Sequence, residues 1–100
     1  MSDTIELVRF RLNQGKTAAD WLKANEKIND WMKAQPGFRF RSVSETADGE
    51  WWDLVYWESL EAAHAAGEKF MPAMGTVCAP LVAPGSVVVT RSKAHVMQQG

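Results

Sequence analysis

The stretch Trp51-Trp52-Asp53-Leu54-Val55-Tyr56-Trp57-Glu58-Ser59 runs directly into Leu60-Glu61-Ala62-Ala63-His64-Ala65-Ala66. Its aromatic and β-branched residues favour a strand, and Ser59 suits a helix N-cap, so an alanine-rich helix begins at once. A strand with large apolar groups on both faces needs cover on both. If Trp51, Asp53, Val55 and Trp57 point toward the helices, then Trp52, Leu54 and Tyr56 point away. Helices cover the first set. The second calls for another copy of the chain, or for arginine stems laid over the rings of a monomer.

Outward from this stretch, the same logic orders the rest of the chain. Thr4 to Leu12 alternates as a strand, with Glu6, Val8, Phe10 and Leu12 on one face and Ile5, Leu7, Arg9 and Arg11 on the other. After the turn Asn13-Gln14-Gly15-Lys16, Thr17 and Asp20 have capping-box spacing. Ala18 to about Gln35 reads as an amphipathic helix with Trp21, Ile28 and Met32 on its apolar stripe. Pro36-Gly37 stops it and launches a strand through about Glu45, in which Phe38 and Phe40 alternate with Arg39 and Arg41. Ala47-Asp48-Gly49 makes a hairpin turn into the aromatic strand. Pro72 is expected to bend or end the second helix near Phe70, leaving 75–84 irregular apart from room for one short helical turn. Ser86 to about His95 is the last strand, and the tail from Met97 is expected to fray. No repeat is legible. The order predicts an α+β, ferredoxin-like βαββαβ domain spanning 1–100: a four-stranded antiparallel sheet with two helices on one face.

Composition narrows the function classes. The 100 residues hold one core, and a formal net charge of −1 offers no footprint for nucleic acid. Cys78 is the single cysteine, which excludes an intrachain disulfide and a four-cysteine metal site. No apolar stretch approaches bilayer length and no charged leader precedes an apolar run, so a soluble cytoplasmic protein is expected. Two distant histidines, His64 and His95, make a poor metal set, and no metal is expected. There is no phosphate loop and no serine elbow.

The Gly15 turn, Gln35-Pro36-Gly37-Phe38 and Leu54-Val55-Tyr56-Trp57-Glu58-Ser59-Leu60-Glu61-Ala62-Ala63 resemble the dimeric α/β-barrel superfamily, in its antibiotic-biosynthesis-monooxygenase-like branch. Phe70-Met71 and Cys78-Ala79-Pro80 resemble bacterial members of that branch. The resemblance covers nearly the whole chain and rests on structural motifs. It implies a homodimer through the outer sheet face. It also implies either cofactor-independent oxygenation of phenols or quinols, or haem breakdown. The haem-degrading members depend on an asparagine, a tryptophan and a histidine. The matching positions here hold Val8, Ala66 and Thr76, so haem is disfavoured and no cofactor is expected.

Between helices and sheet, Phe10, Trp21, Phe38, Phe40, Trp51, Trp57, Met71 and Met74 are expected either to fill a core or to line a pocket for a small aromatic ligand. Polar residues interrupt this lining. Asn25 falls within the apolar stripe and needs a partner or a ligand. Asp53 faces the helices and must meet a donor or lie at the sheet margin. His64, with Glu61 and Glu68 nearby, reads as a surface histidine or as a general base. In the catalytic reading, His64 or Asp53 deprotonates a phenol and Asn25 or Trp57 holds the developing oxyanion. Glu6, near a strand end, is expected to be solvent-exposed. Arg9, Arg11, Arg39 and Arg41 are expected to form ion pairs on the dimer face. The rival function is a non-catalytic ligand-binding or structural homodimer domain.

Overall fold

The computed structural model describes residues 3–100. Its elements are β1 (Thr4–Phe10), α1 (Ala18–Lys33), β2 (Phe38–Glu45), β3 (Trp51–Trp57), α2 (Leu60–Cys78) and β4 (Val88–Lys93), the βαββαβ order expected. The strands form one antiparallel sheet in the order β2-β3-β1-β4. Trp21, Ile28 and Met32 of α1 and Ala63 and Ala66 of α2 share one buried cluster with Phe10, Trp51, Val55 and Trp57. Both helices therefore cover the same face. Trp51, Asp53, Val55 and Trp57 are buried, whereas Trp52 of the opposite face is 39 % exposed. No helix of the described residues is long and apolar enough to cross a membrane.

Local chemistry sets the helix boundaries. Thr17 closes a capping box on α1: its hydroxyl accepts from the Asp20 amide at 3.3 Å, and its own amide donates to the Asp20 carboxylate at 2.9 Å. Ser59 accepts from the Ala62 amide at 3.1 Å at the head of α2. Between α1 and β2 the chain turns through Gly37, whose φ is +81° and whose missing Cβ would lie 2.7 Å from that of Ala62. Both the dihedral and the close approach require glycine there.

Two elements depart from the sequence reading. Helix α2 does not end near Phe70 but continues to Cys78 with Pro72 inside it. Pro72 removes one amide donor on an exposed turn, where water can satisfy the freed carbonyl, while Phe70, Met74 and Cys78 gain contact with the core. In β2, a register shift between Phe38 and Phe40 breaks the simple alternation. Phe38 and Arg41 both face the helices, and Phe40 turns to the outer face, 54 % exposed and edge-on to Tyr56 at 5.8 Å. A bulge inserts one residue and so inverts the facing of everything beyond it.

The ladder of β1 with β3 is centred on Leu7 opposite Leu54. A quasi-two-fold axis through that pair exchanges β1 with β3, β2 with β4 and α1 with α2. About it Glu6 and Asp53 hold matching positions, each one residue before the centre of its strand.

Candidate functional site

The inner sheet face holds two arginine–carboxylate pairs, each joining a central strand to the edge strand beside it. Under α1, Arg41 Nε donates to Asp53 Oδ1 at 3.0 Å and Nη2 to Asp53 Oδ2 at 2.7 Å. The same guanidinium donates to Asn25 Oδ1 at 2.7 Å and to Asn29 Oδ1 at 2.6 Å. Asn25 completes the network by donating from Nδ2 to the Trp21 carbonyl at 2.7 Å. A bidentate fork with added amide acceptors is the arrangement that makes a buried ion pair tolerable. Asn25 and Asp53 therefore meet around Arg41, each with a hydrogen-bond partner in the chain.

Under α2, Arg91 Nε donates to Glu6 Oε2 at 2.7 Å. Glu6 is buried rather than exposed, because Arg91 stands directly opposite it on β4. The residues beside this pair, Thr4, Ser59, Leu60, Glu61, Ser92 and Lys93, line with Arg91 an open recess of about 510 Å³. Arg91 and Lys93 bring cationic groups there, Glu61 a carboxylate, and Thr4 and Ser59 hydroxyls. Thr4 is also the cross-strand partner of Trp57, so the recess adjoins the aromatic interior. A smaller recess of about 140 Å³ lies beside Gln35, Gly37, Glu58 and Lys69.

Neither recess is lined by the aromatic set expected from the sequence. Phe10, Trp21, Trp51 and Trp57 are buried in a close-packed core. Phe10 meets Trp21 edge-on at 5.0 Å, and Phe38 meets Trp57 edge-on at 5.9 Å. Interlocked rings fill volume that a ligand would otherwise occupy. Met74 packs against that core, whereas Met71 is 63 % exposed and Phe40 lies on the opposite face. His64 also stays apart: its side chain is 65 % exposed and Nε2 lies 3.1 Å from Glu68 Oε1 on the solvent side of α2. One helical turn separates them, a spacing that favours this surface pair.

Among the described residues, the buried indole nitrogens of Trp21 and Trp57 have no protein acceptor. An unpartnered buried donor costs roughly 1–3 kcal/mol. Cys78 is buried, and that burial pushes its thiol up from the ordinary cysteine range. Among the described residues no three metal-ligating side chains cluster.

The four arginines expected on the dimer face are each paired within the chain. Arg9 meets Glu50 at 3.1 Å, Arg11 meets Asp48 at 3.0 Å and Arg39 meets Asp3 at 3.1 Å, while Arg41 faces inward to Asp53. Arg9 also lies over the Trp52 ring, 5.8 Å from its centroid, and covers part of that outer surface. The sequence reading missed Arg91 and the burial of Glu6. Their signal was the opposite charge on two strands, legible only once β1 and β4 are known to be neighbours.

SnoaB, a cofactor-independent oxygenase from Streptomyces nogalater, superimposes with a TM-score of 0.70 at 16 % identity over 99 % of this chain and 97 % of its own. A monooxygenase from the gene ActVA-Orf6 of Streptomyces coelicolor, in complex with nanaomycin D, gives a TM-score of 0.70 at 16 % identity over 99 % and 93 %. The chain has the fold of the antibiotic biosynthesis monooxygenases. A dimeric ferredoxin-like protein of unknown function from Bacteroides fragilis matches with a TM-score of 0.66 at 14 % identity over 94 % and 98 %. No family model and no curated sequence relative matches the chain.

Proposed function

We propose that this protein is a homodimer of the antibiotic-biosynthesis-monooxygenase type that binds a small hydroxylated aromatic molecule in the recess between the start of α2 and β4. The observation that carries the reading is Arg91, held by Glu6 through one nitrogen inside a recess that also presents Lys93, Thr4 and Ser59. Arg91 and Lys93 favour the phenolate over the phenol and fix its oxygen, against the opposing charge of Glu61, which lines the same recess. A bound aromatic body then lies against Leu60 and toward Trp57, whose buried indole N–H has no acceptor among the described residues.

The oxygenation proposed needs no cofactor. A phenolate is electron-rich enough to react with dioxygen; one oxygen atom enters the ring as a carbonyl and the other leaves as water, so a phenol and O2 give a quinone and H2O. The chain's part is to stabilise the anion, orient the ring and limit water around it. The likeness in fold to SnoaB and to the ActVA-Orf6 monooxygenase supports this class. The close-packed interior favours a second reading, a non-catalytic binding domain that uses the same recess.

Oxygen consumption with a panel of naphthols and hydroxyanthracenes separates the two readings. The oxygenase reading expects one O2 per molecule oxidised and a fall of about 10²–10³ in turnover for Arg91→Ala. Saturable quenching of tryptophan fluorescence with no oxygen uptake leaves the binding domain. No binding and no uptake overturn both.

A further inference from the structure

The two arginine–carboxylate pairs are served differently by the helices above them. Over Arg41, α1 presents Asn25 and Asn29, whose Oδ1 atoms accept from Nη2 and Nη1. All three nitrogens of that guanidinium are partnered, and the side chain is 5 % exposed. Over Arg91, α2 presents Gly67, which stands as far from its cap Ser59 as Asn25 stands from Thr17. Gly67 supplies no side-chain oxygen. Among the described residues Arg91 donates only through Nε to Glu6, and its side chain is 31 % exposed. A Cβ at position 67 would lie 2.8 Å from Arg91 Nη2, so glycine is what lets the guanidinium lie against this turn of the helix.

On the ligand-binding reading above, we propose that Gly67 sets the specificity of the recess: with no side-chain oxygen above it, Arg91 keeps Nη1 and Nη2 without a protein acceptor among the described residues, available to an oxyanion of the ligand. A planar guanidinium edge fits a carboxylate, whose two oxygens match its two parallel N–H vectors. Lys93 and Thr4 add a second positive charge and a hydroxyl, and Glu61 one carboxylate, to the same recess. The ligand class is therefore an aromatic acid, and for the oxygenase reading a hydroxylated one. Arg41 and Arg91 are not strict register equivalents: Arg91 stands directly opposite Glu6, whereas Arg41 reaches diagonally from its own partner Val55 to Asp53. The equivalence that matters is between Asn25 and Gly67 on the helices.

Calorimetric titration with 1-hydroxy-2-naphthoate and with 1-naphthol, which lacks the carboxylate, tests this in the unmodified protein and in Gly67→Asn and Gly67→Ala. The expected result is hydroxynaphthoate binding at least about tenfold tighter than naphthol to the unmodified protein, with that advantage lost in Gly67→Asn. Gly67→Ala should weaken it as well, because its methyl group displaces Nη2. Circular dichroism should show both variants folded, since asparagine and alanine are each better helix residues than glycine. Equal binding of acid and naphthol to the unmodified protein, or a full advantage kept in Gly67→Asn, overturns the proposal. If the carboxylate preference depends on Gly67 but no hydroxylated aromatic consumes oxygen, the site stands and the oxygenase reading alone falls. If naphthols are oxidised but the unmodified protein binds hydroxynaphthoate no more tightly than naphthol, the oxygenase reading stands and the Gly67 inference falls.

Discussion

Arg41 shows how one side chain can tie a helix to two strands. Its guanidinium joins β2 to Asp53 of β3 and to Asn25 and Asn29 of α1, nearly out of contact with solvent. Arg41→Ala would leave the Asp53 carboxylate buried without its counter-charge, a loss of roughly 3–5 kcal/mol by urea denaturation. The double variant Arg41→Met/Asp53→Leu removes both charges and keeps the apolar volume, so it should recover most of that loss or exceed the original stability. If the single and double variants are equally destabilised, packing rather than charge holds the network. Asp53 was legible as a residue in need of a donor. Arg41 was not legible as that donor, because a bulge is a feature of strand pairing and leaves no mark in an alternating Phe-Arg-Phe-Arg pattern.

At the scale of the element, the helix starts follow local chemistry and the helix ends do not. Thr17→Ala removes the hydroxyl that accepts from the Asp20 amide and should cost about 1 kcal/mol. The bond from the Thr17 amide, together with that from its hydroxyl, holds the Asp20 carboxyl below the usual carboxylate range. A carboxyl depressed in the folded state adds stability that is present above its unfolded pKa and is lost as pH falls through the lower folded value. Asp20→Asn should therefore flatten the acid limb of the unfolding curve in that window and leave neutral-pH cooperativity intact. Pro72 gives the opposite lesson. Local rules bend or end α2 there, but the apolar stripe of Phe70, Met74 and Cys78 continues along the core and outweighs one lost backbone bond. Pro72→Ala restores that bond at an exposed site and should raise stability by up to about 3 kcal/mol in thermal melts. No gain would mean that the helix depends on the bend a proline imposes.

For the whole molecule, the outer sheet face is the surface on which the proposed dimer rests. Phe40 and Trp52 are exposed there beside the half-buried Ile5, Leu7, Leu54 and Tyr56. The bulge makes this face more aromatic than the sequence implied by adding Phe40, while Arg9 covers only Trp52. Two such faces packed across a two-fold axis would bury these rings, each worth several kcal/mol at ~25 cal/mol per Å². Sedimentation at micromolar concentration should give a dimer. Trp52→Glu, which places a charge in the dry interface, should shift the protein toward monomer or insoluble material. A monomeric unmodified protein would refute this interface and leave the outer face to its own side chains.

What the sequence determined by itself is the order of elements, the inner and outer faces of β1 and β3, the capping box at Thr17 and the apolar stripe of α1. Each is a matter of period or of bonds between residues a few positions apart, so the chain specifies it locally. Only the tertiary structure decided that Phe40 faces outward, that Glu6 is buried against Arg91, that the aromatic rings interlock into a filled core, and that His64 remains in solvent. Those outcomes depend on strand neighbours far apart along the chain and on how much volume the rings leave between two layers. The recess at Arg91 belongs with them: its walls come from β1, the start of α2 and β4, and only the fold brings them together.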